Sequence, residues 1–377
     1  MNAPVWTADT GALAATARAL AAAPEVALDT EGDSLHHYPE RLSLVQLATP
    51  DGVWLIDPLA LPDLTPLAPV FAGASPVVVV HAGDNDFSHL KRRYGFAFRS
   101  IFDTSIAARF LGGKALGLDT LLEAWLSITL PPSRQRDDWS ARPLSPAQLD
   151  YAAADVRHLF ALKARLVEEL RTIGRVAWVE EECAALAAQI VPERVVDPDA
   201  FLGIKGAREL PPGALAILRE LWTLRESLAR AADRPPFKIL SEDILLAIAR
   251  TVPRDAAALA TLPGVTPRVL GRWGQALVGA VERGLAVPDA DLPQWPHRPR
   301  PRIPGIVSRR VEALRRWRAS ATERAGLEPG VLLPNRLIGQ IAEAAPRTIE
   351  ELAALDGVRR WRAETFGGEI IAALGGS

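Results

Sequence analysis

The 377-residue chain contains a single cysteine, Cys183. That excludes a disulfide framework and a cysteine-based zinc site. Its longest apolar runs fall far short of a bilayer span. Met1–Pro4 leads into an acidic, alanine-rich stretch, without the basic start and apolar core of a signal peptide. These absences predict a cytoplasmic protein with no membrane association. Charge of one sign is missing too: 43 Lys and Arg stand against 45 Asp and Glu, for a net charge of −2. Any nucleic-acid binding must then come from local basic patches, not from a global field. What remains is ordinary for a globular protein, with 49% apolar and 23% charged residues. The length suits two or three domains.

The most informative stretch is Val26-Ala27-Leu28-Asp29-Thr30-Glu31. The apolar run reads as a buried strand. Side chains alternate along a strand, so Asp29 and Glu31 share a face, with Cα atoms roughly 6.5 Å apart. Two like charges at the end of a buried strand are costly unless a cation neutralises them. On this stretch alone, a strand ending in an acidic turn explains the pair equally well.

Residues 10–23 read as a helix. Strands follow at Leu42–Thr49, Val53–Asp57 and Val77–His81. The Pro50-Asp51-Gly52 turn predicts an antiparallel hairpin between the first two. The β-branched Val77–Val80 run suits a strand covered on both faces. Helices are expected at Asn85–Tyr94, Thr104–Leu111 and Leu118–Ser127. A long helix from about Pro146 to Ile173 would be capped by Ser145. The pattern predicts a mixed α/β sheet.

Two further sets of residues could join the acidic pair. Asp86 falls near the start of the helix after Val77–Val80, where the helix dipole tolerates an anion. Read alone, it is a first-turn helix aspartate, and Asp84 is placed equally well. Tyr151 and Asp155 lie four apart and share a helix face. Asp103 reads as an N-cap or strand-end acceptor, and His81 as packing beneath a site, not as a ligand.

Together, Asp29-Thr30-Glu31, Asp86 spaced after His81, and Tyr151-Ala152-Ala153-Ala154-Asp155 resemble the three motifs of the DEDDy 3′→5′ exonucleases. Leu44-Val45-Gln46-Leu47, Asp103-Thr104, and Asp138-Trp139 through Arg142-Pro143-Leu144 bring the resemblance to the ribonuclease D family. The resemblance implies an RNase H-like exonuclease domain over residues 1–190. It implies Asp29, Glu31, Asp86 and Asp155 as ligands for two divalent cations, Mg²⁺ or Mn²⁺, a choice that the all-oxygen donor set suits. Tyr151 would orient the attacking water. The implied reaction removes nucleoside 5′-monophosphates from RNA 3′ ends, with tRNA precursors and other structured RNAs as substrates and no small-molecule cofactor. Gly32-Asp33 departs from the bulky apolar residue that many relatives carry there, which puts the family's grip on the terminal nucleotide in question. A 3′→5′ DNA exonuclease and a catalytically silent RNA-binding scaffold are the alternative readings.

The remaining chain is helical by pattern and internally repeated. Ile248-Ala249, Pro253, Leu259, Leu262 and Gly264-Val265 recur, at one constant offset, as Ile341-Ala342, Pro346, Leu352, Leu355 and Gly357-Val358. Both copies resemble the helicase-and-RNase-D C-terminal (HRDC) domain, with expected spans of 205–290 and 304–377. Pro293–Pro304 reads as a semi-rigid linker. Arg298–Arg318 holds eight arginines and one acid, Glu312. Within it Arg298, Arg300, Arg302, Arg309 and Arg310 are candidates for RNA phosphate contact, as are Arg136 and Arg142 in the loop before the long helix. In each case a solvated charged surface is the competing explanation. The overall expectation is a monomer whose second helical module can be removed without damage to the catalytic site.

Overall fold

The computed structural model describes residues 3–193, 197–295 and 303–376. The chain divides into two compact units. One comprises Met1–Glu31, Leu42–Pro192 and Pro301–Ser377; the other comprises Gly32–Arg41 and Glu193–Arg300.

The first unit opens with β1 (Val5–Thr7), α1 (Thr10–Ala21), β2 (Glu25–Gly32), β3 (Leu42–Thr49) and β4 (Gly52–Ile56). It continues through α2 (Ala68–Ala72), β5 (Val77–Val80), α3 (Asp84–Tyr94), β6 (Ile101–Asp103), α4 (Thr104–Phe110) and α5 (Leu118–Leu126). Then come α6 (Pro146–Arg157), α7 (Leu159–Thr172) and α8 (Val176–Ala188). The six strands form one mixed sheet in the order β1-β4-β3-β2-β5-β6. β3 and β4 pair antiparallel across the turn read from the sequence, whereas β2–β5, β5–β6 and β1–β4 are parallel. β3 is buried along its whole length, as a strand covered on both faces must be. β1 and β6 escape sequence reading because each is a three-residue edge strand, too short for alternation to register.

The single helix expected from Pro146 to Ile173 is in fact two. Its start is as read: Ser145 accepts from the Gln148 amide in a reciprocal capping box, and Pro146 occupies the first turn. At His158 the backbone leaves helical geometry, at φ −96° and ψ −3°. The break lets the chain change neighbours: α6 packs on β3 and β4, α7 on β5, α4 and α5. A straight helix could not serve both halves of a twisted sheet.

The second unit contains α9 (Pro212–Ala232), α10 (Pro236–Ile239), α11 (Glu242–Thr251), α12 (Ala256–Ala260) and α13 (Pro267–Leu285). Leu218, Leu221, Leu245, Ile248 and Leu277 lie in its core. The loop after β2 packs with this unit. Asp233 accepts from the Tyr38 amide at 3.1 Å and pairs with His37 Nδ1 at 2.7 Å, while the Tyr38 hydroxyl donates to Glu226.

The second helical module consists of α14 (Gly305–Ala325), α15 (Pro329–Leu332), α16 (Asn335–Ala344), α17 (Ile349–Ala353) and α18 (Arg360–Gly375). The sequence repeat is a repeat of core positions. Ile248, Ala249, Leu259 and Val265 are buried, and so are Ile341, Ala342, Leu352 and Val358. Gly264 and Gly357 both take positive φ, +82° and +77°, where a side chain is strained.

This module is not an appendage. Its apolar residues belong to the same core as the sheet domain. Trp361 stacks on Trp178 of α8 at 4.5 Å and meets Phe110 edge-on at 5.2 Å. Glu182 of α8 accepts from Arg359 Nε at 3.0 Å, Trp361 Nε1 at 3.1 Å and the buried Arg362 at 3.4 Å. Arg175 donates to the Phe110 and Ala325 carbonyls, and a Cβ on Gly112 would stand 2.8 Å from the Gly326 carbonyl oxygen. A dispensable second module, as expected from the sequence, does not fit this packing.

Candidate active site

Asp29 and Glu31 sit at the end of β2, in the sheet's interior between β3 and β5. Asp155 reaches the same place from α6. One carboxylate oxygen from each of the three lies within 4.8 Å of the others. Asp86, buried in the first turn of α3, accepts a hydrogen bond from the Thr30 hydroxyl and faces the charge of Asp29. Asp84, its competitor in the sequence, is exposed on the same turn.

The electrostatics follow from this crowding. Burial first, and the Asp155 charge second, push the Asp29 carboxyl up to about 7. Glu31 rises to about 9, through burial and then repulsion from Asp29, Asp155 and Asp86. Burial pushes Asp155 up to about 7, against a hydrogen bond from Tyr151 that lowers it. Asp86 is raised by burial and by Asp29. Asp29, Glu31 and Asp155 line a cavity of about 560 Å³ together with Tyr151 and His81, and no lysine or arginine is among its lining residues. A cluster of like charges with no cationic side chain on its walls is electrostatically incomplete. The clustered donors are all hard carboxylate oxygens, which fit Mg²⁺ or Mn²⁺.

Tyr151 lies on the same face of α6 as Asp155 and donates toward it. Its ring packs beside the fully buried Trp139, centroids 6.0 Å apart. Burial and the nearby carboxylates hold the phenol above its ordinary range, so it stays protonated at neutral pH. The hydroxyl can donate or accept a hydrogen bond, but it cannot act as a base there.

Asp103 does more than cap a helix. It accepts from the Ser105 and Ile106 amides of α4, and also from the Ala82 and Gly83 amides, at 3.1 and 3.0 Å. Ala82 has φ +54°, a strained turn for alanine. Asp103 thus pins the turn that launches α3 and so positions Asp86. Its own amide donates to Cys183 Sγ at 3.3 Å. Sequence reasoning missed Cys183 and Thr30 as supports, since neither carries a local signal. His81 packs at the site's edge, its Nδ1 2.9 Å from the Thr104 hydroxyl.

The basic residues separate. Arg142 has no donor free for an RNA phosphate. Its guanidinium forks onto Asp57 with two 2.7 Å bonds and donates also to the Trp139, Ala141 and Ser43 carbonyls. All five donors are committed to bracing the loop against β4. Arg136 and Arg309 are exposed, and Arg310 donates to the Ala342 carbonyl at 3.4 Å. Arg298, Arg300 and Arg302 lie outside the described residues.

Comparison with known proteins agrees with this geometry. A family model described as 3′-5′ exonuclease matches residues 4–171, and one for the HRDC domain matches 214–281 and 308–374. Ribonuclease D of Pseudomonas paraeruginosa is 33% identical over 376 residues, covering 98% of this chain and 97% of the relative. The chain belongs to the ribonuclease D family. Ribonuclease D of Escherichia coli is 34% identical over 298 residues, 78% of each chain. The crystal structure of E. coli RNase D, described as an exoribonuclease involved in structured RNA processing, matches with a TM-score of 0.71 and 28% identity. That match covers 100% of this chain and 99% of the other. Membership in the ribonuclease D family carries hydrolytic 3′→5′ exoribonuclease activity with it. No helix among the described residues is long and apolar enough to cross a membrane.

Proposed function

We propose that the protein trims the 3′ ends of tRNA precursors and other structured RNAs, with Asp29, Glu31, Asp86 and Asp155 holding two divalent cations, Mg²⁺ or Mn²⁺. The observation that carries this reading is the crowded carboxylate set in a cavity without a cationic side chain. When bound, the cations supply acidification of the attacking water and neutralisation of charge on the scissile phosphate. Tyr151 orients that water through its hydroxyl, and Asp155 holds the hydroxyl in place. Asp103 keeps Asp86 at the cluster by fixing the Ala82–Gly83 turn. The products are nucleoside 5′-monophosphates. Domains over 1–190, 205–290 and 304–377, working as a monomer, complete the proposal.

The test is digestion of a 3′-extended tRNA precursor transcript, with and without Mg²⁺ or Mn²⁺. Shortening from the 3′ end with release of 5′-monophosphates, abolished by chelation, is expected. Equal activity in excess chelator would remove the cation assignment, and internal cleavage would remove the exonuclease reading for this substrate. Tyr151→Phe should lower turnover about 100-fold with little change in RNA affinity. An unchanged turnover number would make the hydroxyl merely structural.

A further inference from the structure

Beside the catalytic cavity, and sharing Ala82 with it, lies a second cavity of about 460 Å³ between α4, α8 and the second helical module. A third, of about 450 Å³, adjoins both: it shares Leu116 with the catalytic cavity and Arg109, Gly330 and Val331 with the second. Arg109, Lys114 and Arg336 line this cleft of adjoining cavities. All three side chains are exposed, and among the described residues none has a hydrogen-bond or ion-pair partner. The arginines deeper in the wall differ, because Arg359 and Arg362 are paired with Glu182. The same walls carry Asp84, Asp103, Glu182 and Glu328, four acids against five cationic side chains, and of these Asp103 is engaged by backbone amides while Asp84 and Glu328 are exposed at helix starts.

The second module also leaves room for Arg336. Gly357 takes φ +77°, and a Cβ there would stand 2.6 Å from Arg336 Nη1. Glycine at this turn of the second module therefore makes room for the guanidinium at the cleft wall.

We infer that this cleft is a phosphate-binding track for the substrate strand, in which Arg109, Lys114 and Arg336 hold backbone phosphates on the 5′ side of the bond being cut. The inference rests on the exoribonuclease reading and deepens it. A strand whose 3′ end lies among the carboxylates must leave the cavity. Cavities that adjoin its wall and carry three unpaired cationic side chains match a polyanion of any sequence. It also gives the second module a part in substrate binding, since that module supplies Arg336 and Gly357.

The experiment compares kcat/KM on single-stranded RNAs of five and sixteen nucleotides, in Mg²⁺, for the full-length protein and an Arg109→Gln/Arg336→Gln double variant. Both side chains are exposed and unpaired, so the melting temperature should hold. The wild type should prefer the longer RNA, and the variant should lose about 10-fold on it, through KM, while the shorter substrate is little affected. The log–log salt dependence of binding to the longer RNA should become shallower by roughly 1.4, about 0.7 for each phosphate that is no longer neutralised. Lysine at both positions should restore most of the preference. The track is overturned if the wild type shows no length preference, if the variant keeps it, or if both substrates lose equally. Failure of the wild type to shorten either RNA would instead bring down the exoribonuclease reading itself.

Discussion

Replacing Asp29 by asparagine should lower RNA turnover by about 1,000-fold or more, roughly 4 kcal/mol of barrier, while making the metal-free protein more stable. The two effects have one cause. Asp29 sits at the centre of the cluster: it faces Asp155, Glu31 and Asp86, and its charge raises the carboxyl pKa of the last two. Asparagine keeps the size and removes the charge that cations would need.

The sign of the stability effect follows from linkage. These carboxyls hold their protons more tightly in the folded state, with Asp29 and Asp155 near 7 and Glu31 near 9. The metal-free fold is therefore favoured below about pH 4, and it loses that advantage as pH rises through 7 to 9. Removing one charge should raise its stability at pH 8 by at least about 1 kcal/mol. Saturating Mg²⁺ should then stabilise the wild type much more than the variant. Thermal melting with and without Mg²⁺, beside RNA digestion, checks both halves. A variant that digests RNA normally, or melts lower than the wild type without metal, would defeat the site assignment.

Deleting residues 303–377 should leave an insoluble or partly unfolded protein, not a trimmed enzyme. The deletion would take Trp361 away from Trp178 and Phe110 and remove the Arg359, Arg360 and Trp361 donors from Glu181 and Glu182. Exposing a contiguous apolar patch of this kind promotes association. A milder version isolates the contact: Trp361→Ala should cost about 3–5 kcal/mol, the usual range for removing a buried aromatic ring. The measurement is denaturant unfolding of that variant, alongside gel filtration of the truncated chain. A monodisperse truncated protein that digests a five-nucleotide RNA at the wild-type rate would show the two parts to be separable after all.

Local order in the sequence was enough to pair the candidate residues. Asp29 and Glu31 share a strand face because side chains alternate, and Tyr151 and Asp155 share a helix face because they stand four apart. Capping residues marked the start of α6, and the repeated Gly-Val and Ile-Ala pairs marked both helical modules. These features depend on backbone periods of a few residues, which a sequence displays directly.

What depended on distant partners could not be read. Arg142 looks like any loop arginine until the fold brings Asp57 under it. What sets Asp86 apart from Asp84 is the Thr30 hydroxyl and burial, neither of which has a local period. The break at His158 answers to the twist of a sheet formed far away in sequence. The fusion of the second module with the sheet domain arises from side-chain complementarity between α8 and α18. The two helices are separated by most of the helical half of the chain, and only tertiary packing decides which apolar faces meet.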